Sequence, residues 1–311
     1  MKIKKILFPT DFSRCADQAL IHAVYLAEKF GAQIDALHVV TIFEDQPSVV
    51  NDEIAESGEM IKKLEMIAEK ELNKVFDSKS SDDLKIITVT RRGLSAAPTI
   101  LEYASDNNID LIVMGTHGRR GLGHLFLGSA AEEVVRLSPC PVFTIRETEV
   151  PKPAVQVNKI LVPIDFSDHS KKALAYASVI AKSYNACLQV LHIIEETLHP
   201  AFSVTGKSSI FDLVPGIKDD SRKRIEKMIR EVITDKVKSD VFIKSGRAAN
   251  DIIKFAEENS TDLIVIATHG LTGLEHMLLG SVTEKVVRMS RCPVFTVKAF
   301  GKNLIKNKSK F

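Results

Sequence analysis

The residues best suited to chemistry are two glycine clusters. Gly115-Thr116-His117-Gly118 is followed, nine residues on, by Gly128-Ser129. The apolar run Leu111-Ile112-Val113-Met114 precedes the first glycine, and a helix-like segment from Ala130 to Leu137 follows the last. A short branched run of this kind suits a buried parallel strand, though its periodicity alone also allows a buried helix. Glycines directly after a strand let the backbone turn sharply and approach a ligand without a Cβ in the way. Gly128-Ser129 falls where a helix begins, at N–H groups that lack intrahelical partners and at the positive end of the helix dipole. A strand end, a glycine loop and a helix N-terminus together suit a phosphate group.

The elements that must position this loop occur twice. Lys5-Ile6-Leu7-Phe8-Pro9-Thr10-Asp11-Phe12-Ser13 returns as Lys159-Ile160-Leu161-Val162-Pro163-Ile164-Asp165-Phe166-Ser167. Asp110-Leu111-Ile112-Val113 returns as Asp262-Leu263-Ile264-Val265, and Cys140-Pro141-Val142-Phe143-Thr144 as Cys292-Pro293-Val294-Phe295-Thr296. A period of about 150 residues is a whole domain rather than a solenoid unit. The expected organisation is a domain over 1–147, a linker over 148–157 stiffened by Pro151 and Pro153, a second domain over 158–299, and a basic, flexible tail over 300–311.

Within the first repeat the patterning predicts strands at 5–9, 33–40, 84–90, 110–115 and 141–146, with helices at 13–30, 52–76, 96–107 and 129–137. The second repeat predicts strands at 159–163, 186–193, 240–244, 262–267 and 293–298, with helices at 167–184, 219–235, 249–258 and 281–289. Ser13 is placed to cap the first helix and Gly31 to end it. Alternating strands and helices imply right-handed crossovers and a parallel sheet covered on both faces, an α/β fold. The repeats differ most over 198–216, where the second inserts an apolar stretch broken by Pro200, Pro215 and Gly216. Such a loop either lids a ligand or packs on the helix behind it.

Composition narrows the class. The chain has 311 residues, 45% apolar and 26% charged, with a net charge of +2, as expected of a globular protein without a polyanion partner. No apolar stretch reaches the ~18 residues of a membrane span, and the first apolar run is too short for a signal core, so a cytoplasmic location is expected. The four cysteines, Cys15, Cys140, Cys187 and Cys292, form no CxxC pair and read as small buried hydrophobes rather than metal ligands.

Over nearly the whole of Lys4–Lys298 the chain resembles a tandem universal stress protein of the ATP-binding type. The family signature, G-x2-G-x9-G-[S/T], is complete as Gly115, Gly118, Gly128 and Ser129; the second copy reads Ala267, Gly270, Gly280 and Ser281. The resemblance implies two open five-stranded parallel sheets of Rossmann-like, adenine nucleotide alpha hydrolase-like architecture, related by a pseudo-two-fold. It implies ATP, with or without Mg²⁺, or else ADP or AMP, across the C-terminal strand ends. In the first site, Pro9, Thr10, Asp11, Val39 and Met114 would surround the nucleoside. Gly115, His117, Gly118, Arg119, Gly128, Ser129, Ala130 and Ala131 would follow the phosphates. In the second, the counterparts are Pro163, Ile164, Asp165, Ile193 and Ile266, then Ala267, His269, Gly270, Gly280, Ser281, Val282 and Thr283. Ala267 would add a methyl near the phosphates, and Thr283 a hydroxyl donor that Ala131 lacks. The resemblance further implies pairing of Val142–Arg146 with Val294–Lys298 inside the chain, and a homodimer beyond it, with neither nucleic acid nor membrane as partner.

Other readings stand beside these. Asp11 and Asp165 could instead cap the following helix. His117 and His269 either touch phosphate or hold the turn, and His38 and His192 read as buried, hydrogen-bonded strand residues. Neither loop has a P-loop lysine or an evident carboxylate base, so a nucleotide-dependent sensor or regulator is favoured over a slow ATPase. Two alternatives remain: a flavoprotein or adenylating enzyme of related α/β architecture, and a scaffold for a small molecule or lipid with vestigial nucleotide sites.

Overall fold

A computed structural model describes residues 1–41, 54–77, 84–118, 127–149, 157–195, 210–233, 236–270, 279–298 and 300–305. The first repeat comprises β1 (Lys5–Pro9), α1 (Arg14–Phe30), β2 (Gln33–Thr41), α2 (Ile54–Asp77), β3 (Ile86–Gly93), α3 (Ala96–Asp106), β4 (Leu111–Gly115), α4 (Ser129–Leu137) and β5 (Val142–Ile145). The second comprises β6 (Lys159–Pro163), α5 (Asp168–Tyr184), β7 (Cys187–Glu195), α6 (Ile210–Leu213), α7 (Ile217–Val232), β8 (Ser239–Gly246), α8 (Ala248–Glu258), β9 (Leu263–Ala267), α9 (Ser281–Met289) and β10 (Val294–Val297).

The long helices start and stop where their side chains dictate. Ser13 Oγ accepts from Ala16 N at 3.2 Å to open α1, and Ser167 Oγ accepts from Ser170 N at 3.1 Å to open α5. Gly31 ends α1 and Asn185 ends α5, both in the left-handed region at φ 62° and 55°. Ala16, Ala19, Leu20, Ala23 and Ala27 recur on one face of α1 and are buried together. The central strands are buried throughout: Ile6, Leu7 and Phe8 in β1, Leu111 to Met114 in β4, Ile160 to Val162 in β6 and Leu263 to Ala267 in β9. Both faces are covered, which is why these strands read as continuous apolar runs.

Within each repeat the five strands pair in parallel, in the orders β3-β2-β1-β4-β5 and β8-β7-β6-β9-β10. The crossovers run outward from the first strand in both directions, so the order reverses between β1 and β4, and again between β6 and β9. Such a switch point leaves a crevice at the C-terminal strand ends. One aspartate secures each switch from the opposite end of the strands. Asp110 Oδ2 accepts from Lys4 N at 2.7 Å and Lys5 N at 3.0 Å; Asp262 Oδ2 accepts from Asn158 N at 2.9 Å and Lys159 N at 3.1 Å. Backbone N–H groups that would otherwise fray thereby hold β1 to β4 and β6 to β9.

The chain divides into two compact units, one built on each repeat. Gly301–Leu304, expected to begin a flexible tail, belongs to the unit of the first repeat. There Lys302 N donates to Pro139 O at 2.8 Å, Lys2 N donates to Leu304 O at 2.9 Å, and the Leu304 side chain is buried. Burial of that leucine and the Lys302 contacts outweigh the polar character that suggested disorder. Much of the linker and the last six residues lie outside the described residues. Of the insertion at 198–216, residues 210–216 are described. They hold the short helix α6, which the irregular sequence did not suggest, and Phe211 lies beneath Lys218 Nζ of α7, 5.8 Å from the ring centre. This part of the insertion packs on the helix that follows it.

Candidate functional site

At the end of β1 the chain turns through Thr10-Asp11-Phe12 into the cap residue Ser13. Thr10 N donates to Leu37 O at 2.9 Å, and His38 Nδ1 meets Thr10 O at 2.8 Å, so β2 holds the turn from the side. Asp11 Oδ1 accepts from Ser13 N at 3.1 Å. The helix cap is therefore the serine, and the aspartate braces it from two residues upstream. Phe12 occupies the left-handed region at φ 63°, uncommon for an aromatic residue. Thr10 Oγ1 accepts from Phe12 N at 3.0 Å, and the Phe12 ring lies 4.6 Å from that of His38. His38 is half-buried and hydrogen-bonded, as its place on an apolar strand suggested.

The glycine loop leaves β4 alongside this turn. Thr116 N donates to Ile145 O at 2.9 Å and Thr116 O accepts from Gly128 N at 2.8 Å, which brings the two glycine clusters together across the intervening residues. Thr116 Oγ1 lies 2.8 Å from His117 Nδ1, orienting that ring. A Cβ on Gly118 would stand 2.6 Å from Asp11 Oδ2. The carboxylate of the first turn thus lies against the loop backbone, and any larger side chain at 118 would displace one of them. Ser129 is exposed at the start of α4, where the first N–H groups of the helix have no partners inside it.

The second repeat reproduces this arrangement with different side chains. Ile164 N donates to Leu191 O at 2.8 Å and His192 Nδ1 meets Ile164 O at 2.7 Å. Asp165 Oδ1 accepts from Ser167 N at 3.0 Å and Ser167 Oγ at 2.5 Å, and its Oδ2 lies 2.6 Å from where a Gly270 Cβ would stand. Gly280 N donates to Thr268 O at 2.9 Å. Phe166 is again left-handed, at φ 67°. Ile164 offers no hydroxyl to its N–H; the Phe166 ring lies between His192, 4.5 Å away, and the Arg224 guanidinium, 3.9 Å away. Burial holds the His192 pKa below the ordinary imidazole value, opposed by its bond to Ile164 O.

Two expectations about the differences between the sites are corrected here. Thr283 is buried, and its hydroxyl donates to Ala267 O at 2.7 Å, so it ties α9 to β9 instead of facing the loop. Its counterpart Ala131 is buried too, which makes the pair a packing position in both repeats. The methyl of Ala267 also points elsewhere than expected. In the first repeat a Cβ on Gly115 would meet Cys15 Sγ at 2.8 Å and the Cys15 main chain at 3.2 Å, so this direction faces the helix after the first strand. Ala267 is accordingly only 7% exposed. Cys15 fills the space beside Gly115, its Sγ donating to Ile145 O at 3.3 Å and its thiol pKa raised by burial.

With this geometry in place, comparison with known proteins is decisive at the level of family. The Universal stress protein family profile matches residues 2–146 and again 156–298. The chain belongs to that family. The universal stress protein YxiE of Bacillus subtilis is 35% identical over 146 residues, covering 45% of this chain and 99% of its own. Universal stress protein Slr1230 of Synechocystis is 25% identical over 314 residues, covering 95% of this chain and all of its own, so it too is a tandem form. A crystal structure of a universal stress protein from Archaeoglobus fulgidus superposes with a TM-score of 0.69 at 22% identity, covering 96% of this chain and 99% of that one, and supports the fold.

In these universal stress domains the residues picked from sequence gather at the two switch points. Pro9, Thr10 and Asp11 end β1; Val39 lies near the end of β2; Met114, Gly115, His117 and Gly118 leave β4; and Gly128, Ser129 and Ala130 open α4. Pro163, Ile164, Asp165, Ile193, Ile266, His269, Gly270, Gly280, Ser281 and Val282 do the same in the second repeat. Met114, Ile164, Ile193 and Ile266 are buried wall residues. Arg119 and Arg120 lie outside the described residues. Sequence reading overlooked Thr116 and Thr268, which close the loops, and Phe12 and Phe166, which shape the turns; their recurrence at matching positions was the available signal.

Proposed function

We propose that this universal stress protein binds ATP, or a related adenine nucleotide, at both glycine loops and acts as a nucleotide-dependent sensor or regulator. The observation that carries this reading is the packing of Asp11 against Gly118 and of Asp165 against Gly270. At each switch point a carboxylate and a backbone-lined loop meet beside a helix N-terminus. The carboxylate suits hydroxyl or amino donors of a nucleoside. The loop N–H groups and the start of α4 or α9 suit the phosphates, and small side chains there let the backbone approach closely. When bound, ATP would supply anionic phosphate oxygens for the N–H groups of the loop and helix start. The residues of this chain bind and orient it, and the bound form presents a different surface to a partner, a shift of population rather than a chemical step.

The experiment is calorimetric titration of ATP-Mg²⁺ into nucleotide-free protein, with Gly118→Val and Gly270→Val variants in parallel. Two sites in the parent and one in each variant are expected, since valine collides with the facing aspartate. A folded parent that takes up no adenine nucleotide would reduce the loops to structural turns and sink the reading.

A further inference from the structure

β8 stands at the edge of the second repeat's sheet, paired with β7 and, among the described residues, with no other strand. Leu188 N donates to Lys238 O at 2.8 Å, which fixes the phase of this edge. Alternation along the strand then turns the N–H and C=O groups of residues 240 and 242 toward β7, and those of Ser239, Val241 and Ile243 outward. A groove of about 540 Å³ lies between this edge and α7. Ile229 and Phe242 give it an apolar part, and Arg222, Glu226 and Arg230 bring charge from the helix.

The first repeat bridges the corresponding place. Aligned on the buried residues Leu72 and Ile225, and on the strand starts Ile86 and Ser239, Asn73 falls at Glu226 and Thr88 at Val241. Thr88 Oγ1 donates to Asn73 Oδ1 at 3.1 Å, and Arg92 makes a two-pronged bond to Glu65, so both pairs tie β3 to α2. Valine has no group to offer a carboxylate, and Ser245 and Lys218 stand at the positions of Arg92 and Glu65. In the second repeat Arg222 Nη2 reaches Val241 O at 3.4 Å, a long and therefore weak bond that an incoming strand can replace.

We propose that the groove between α7 and β8 receives an extended peptide of another protein, which adds to β8 as an outer strand and carries acidic, basic and acidic residues at alternate positions. Strand addition gives the outward N–H and C=O groups of β8 the partners that an edge lacks. Arg222, Glu226 and Arg230 follow one another at four-residue intervals along α7, a rise of about 6 Å each. Alternate side chains of a strand recur every 6.6–6.8 Å or so, roughly the same step. Opposite charges at alternate strand positions therefore come into register with the three helix charges. At the same helical spacing Lys254 pairs with Glu258 and Arg288 with Glu284, whereas among the described residues Glu226 is joined to neither arginine. A wholly acidic strand would meet Glu226 and a wholly basic one both arginines, so the order of charges confers selectivity. The inference is independent of the nucleotide reading.

The test uses the full chain and a fluorescein-labelled, terminally blocked peptide, Thr-Glu-Val-Lys-Val-Glu-Thr. Its sequence is the same in both directions, so it presupposes neither parallel nor antiparallel pairing. Fluorescence anisotropy should show saturable binding, and hydrogen exchange at the Val241 and Ile243 amides should slow at saturation. Exchanging the peptide's charges, to Thr-Lys-Val-Glu-Val-Lys-Thr, should weaken binding by about tenfold, the scale of partly screened pairs turned repulsive. Glu226→Lys, checked for native circular dichroism, should weaken the original peptide by a similar factor and favour one with glutamate at its centre. A merely structural role for Glu226 would not reverse that preference. No saturable binding, equal affinity for the two peptides, or protection at β3 in place of β8 would overturn the proposal.

Discussion

Lys302 Nζ lies 2.6 Å from Asp110 Oδ1, while the other carboxylate oxygen of Asp110 holds the backbone at the start of β1. The same ammonium donates to Asn108 O at 2.6 Å. One buried aspartate therefore joins the switch point of the first repeat to residues that follow the second. Asp262, its counterpart, serves the backbone of its own repeat in the same way.

Ending the chain at Phe300 is expected to loosen the first repeat. It removes the Lys302 contacts, worth about 1–2 kcal/mol for a half-exposed charged partner, and the burial of Leu304, worth roughly 1.5–3 kcal/mol. Hydrogen exchange should quicken in β1 and in the turn before β4. Unchanged exchange there would show that the segment contributes nothing to the unit.

His22 faces Phe143, with ring centres 5.5 Å apart, and burial lowers its pKa to about 4. The unfolded chain takes up a proton near pH 6.5, the folded one only near pH 4. Stability from this site is complete above pH 6.5 and is lost as the pH falls toward 4, on the order of 3 kcal/mol in all. Urea unfolding at pH 7 and pH 4.5 should show a smaller acid loss in His22→Phe than in the parent. Equal losses would mean that His22 does not drive the acid sensitivity.

Gly115→Ala is expected to cost about 1–3 kcal/mol, because the new methyl would stand 2.8 Å from Cys15 Sγ. Adding Cys15→Ala should restore part of that loss, since it removes the sulfur but leaves the nearby main chain. A single variant as stable as the parent would show that α1 yields without cost.

Thr283→Val keeps the shape of the side chain but leaves Ala267 O without its donor. A loss of about 1–3 kcal/mol is expected in the unfolding of the second repeat. ATP affinity should stay within about twofold of the parent if the hydroxyl serves packing alone. A large drop in affinity with unchanged stability would return Thr283 to the ligand.

Much of this was legible in the chain itself. The runs Ile6–Pro9 and Leu111–Met114 are apolar throughout because both faces of the sheet are covered, and β1, β6, α4 and α9 begin and end where the pattern placed them. The duplication and the glycine spacing were equally plain, since backbone geometry leaves its mark directly in residue type. Side-chain direction was not legible. Thr283 reads as a donor and Ala267 as an obstruction until the phase of α9 turns the one toward β9 and the alternation of β9 turns the other toward α5.

The sequence alone determined that two α/β repeats would each carry a glycine loop between a buried strand and a helix. Periodicity and glycine placement are local properties, and they survive without knowledge of contacts. Only the tertiary structure decided what meets across the chain: Asp11 against Gly118, Lys302 against Asp110, and Asn73 against Thr88 where the other repeat has Glu226 and Val241. Those pairs depend on which strands neighbour one another and how each helix is rotated, and packing of the whole unit sets both.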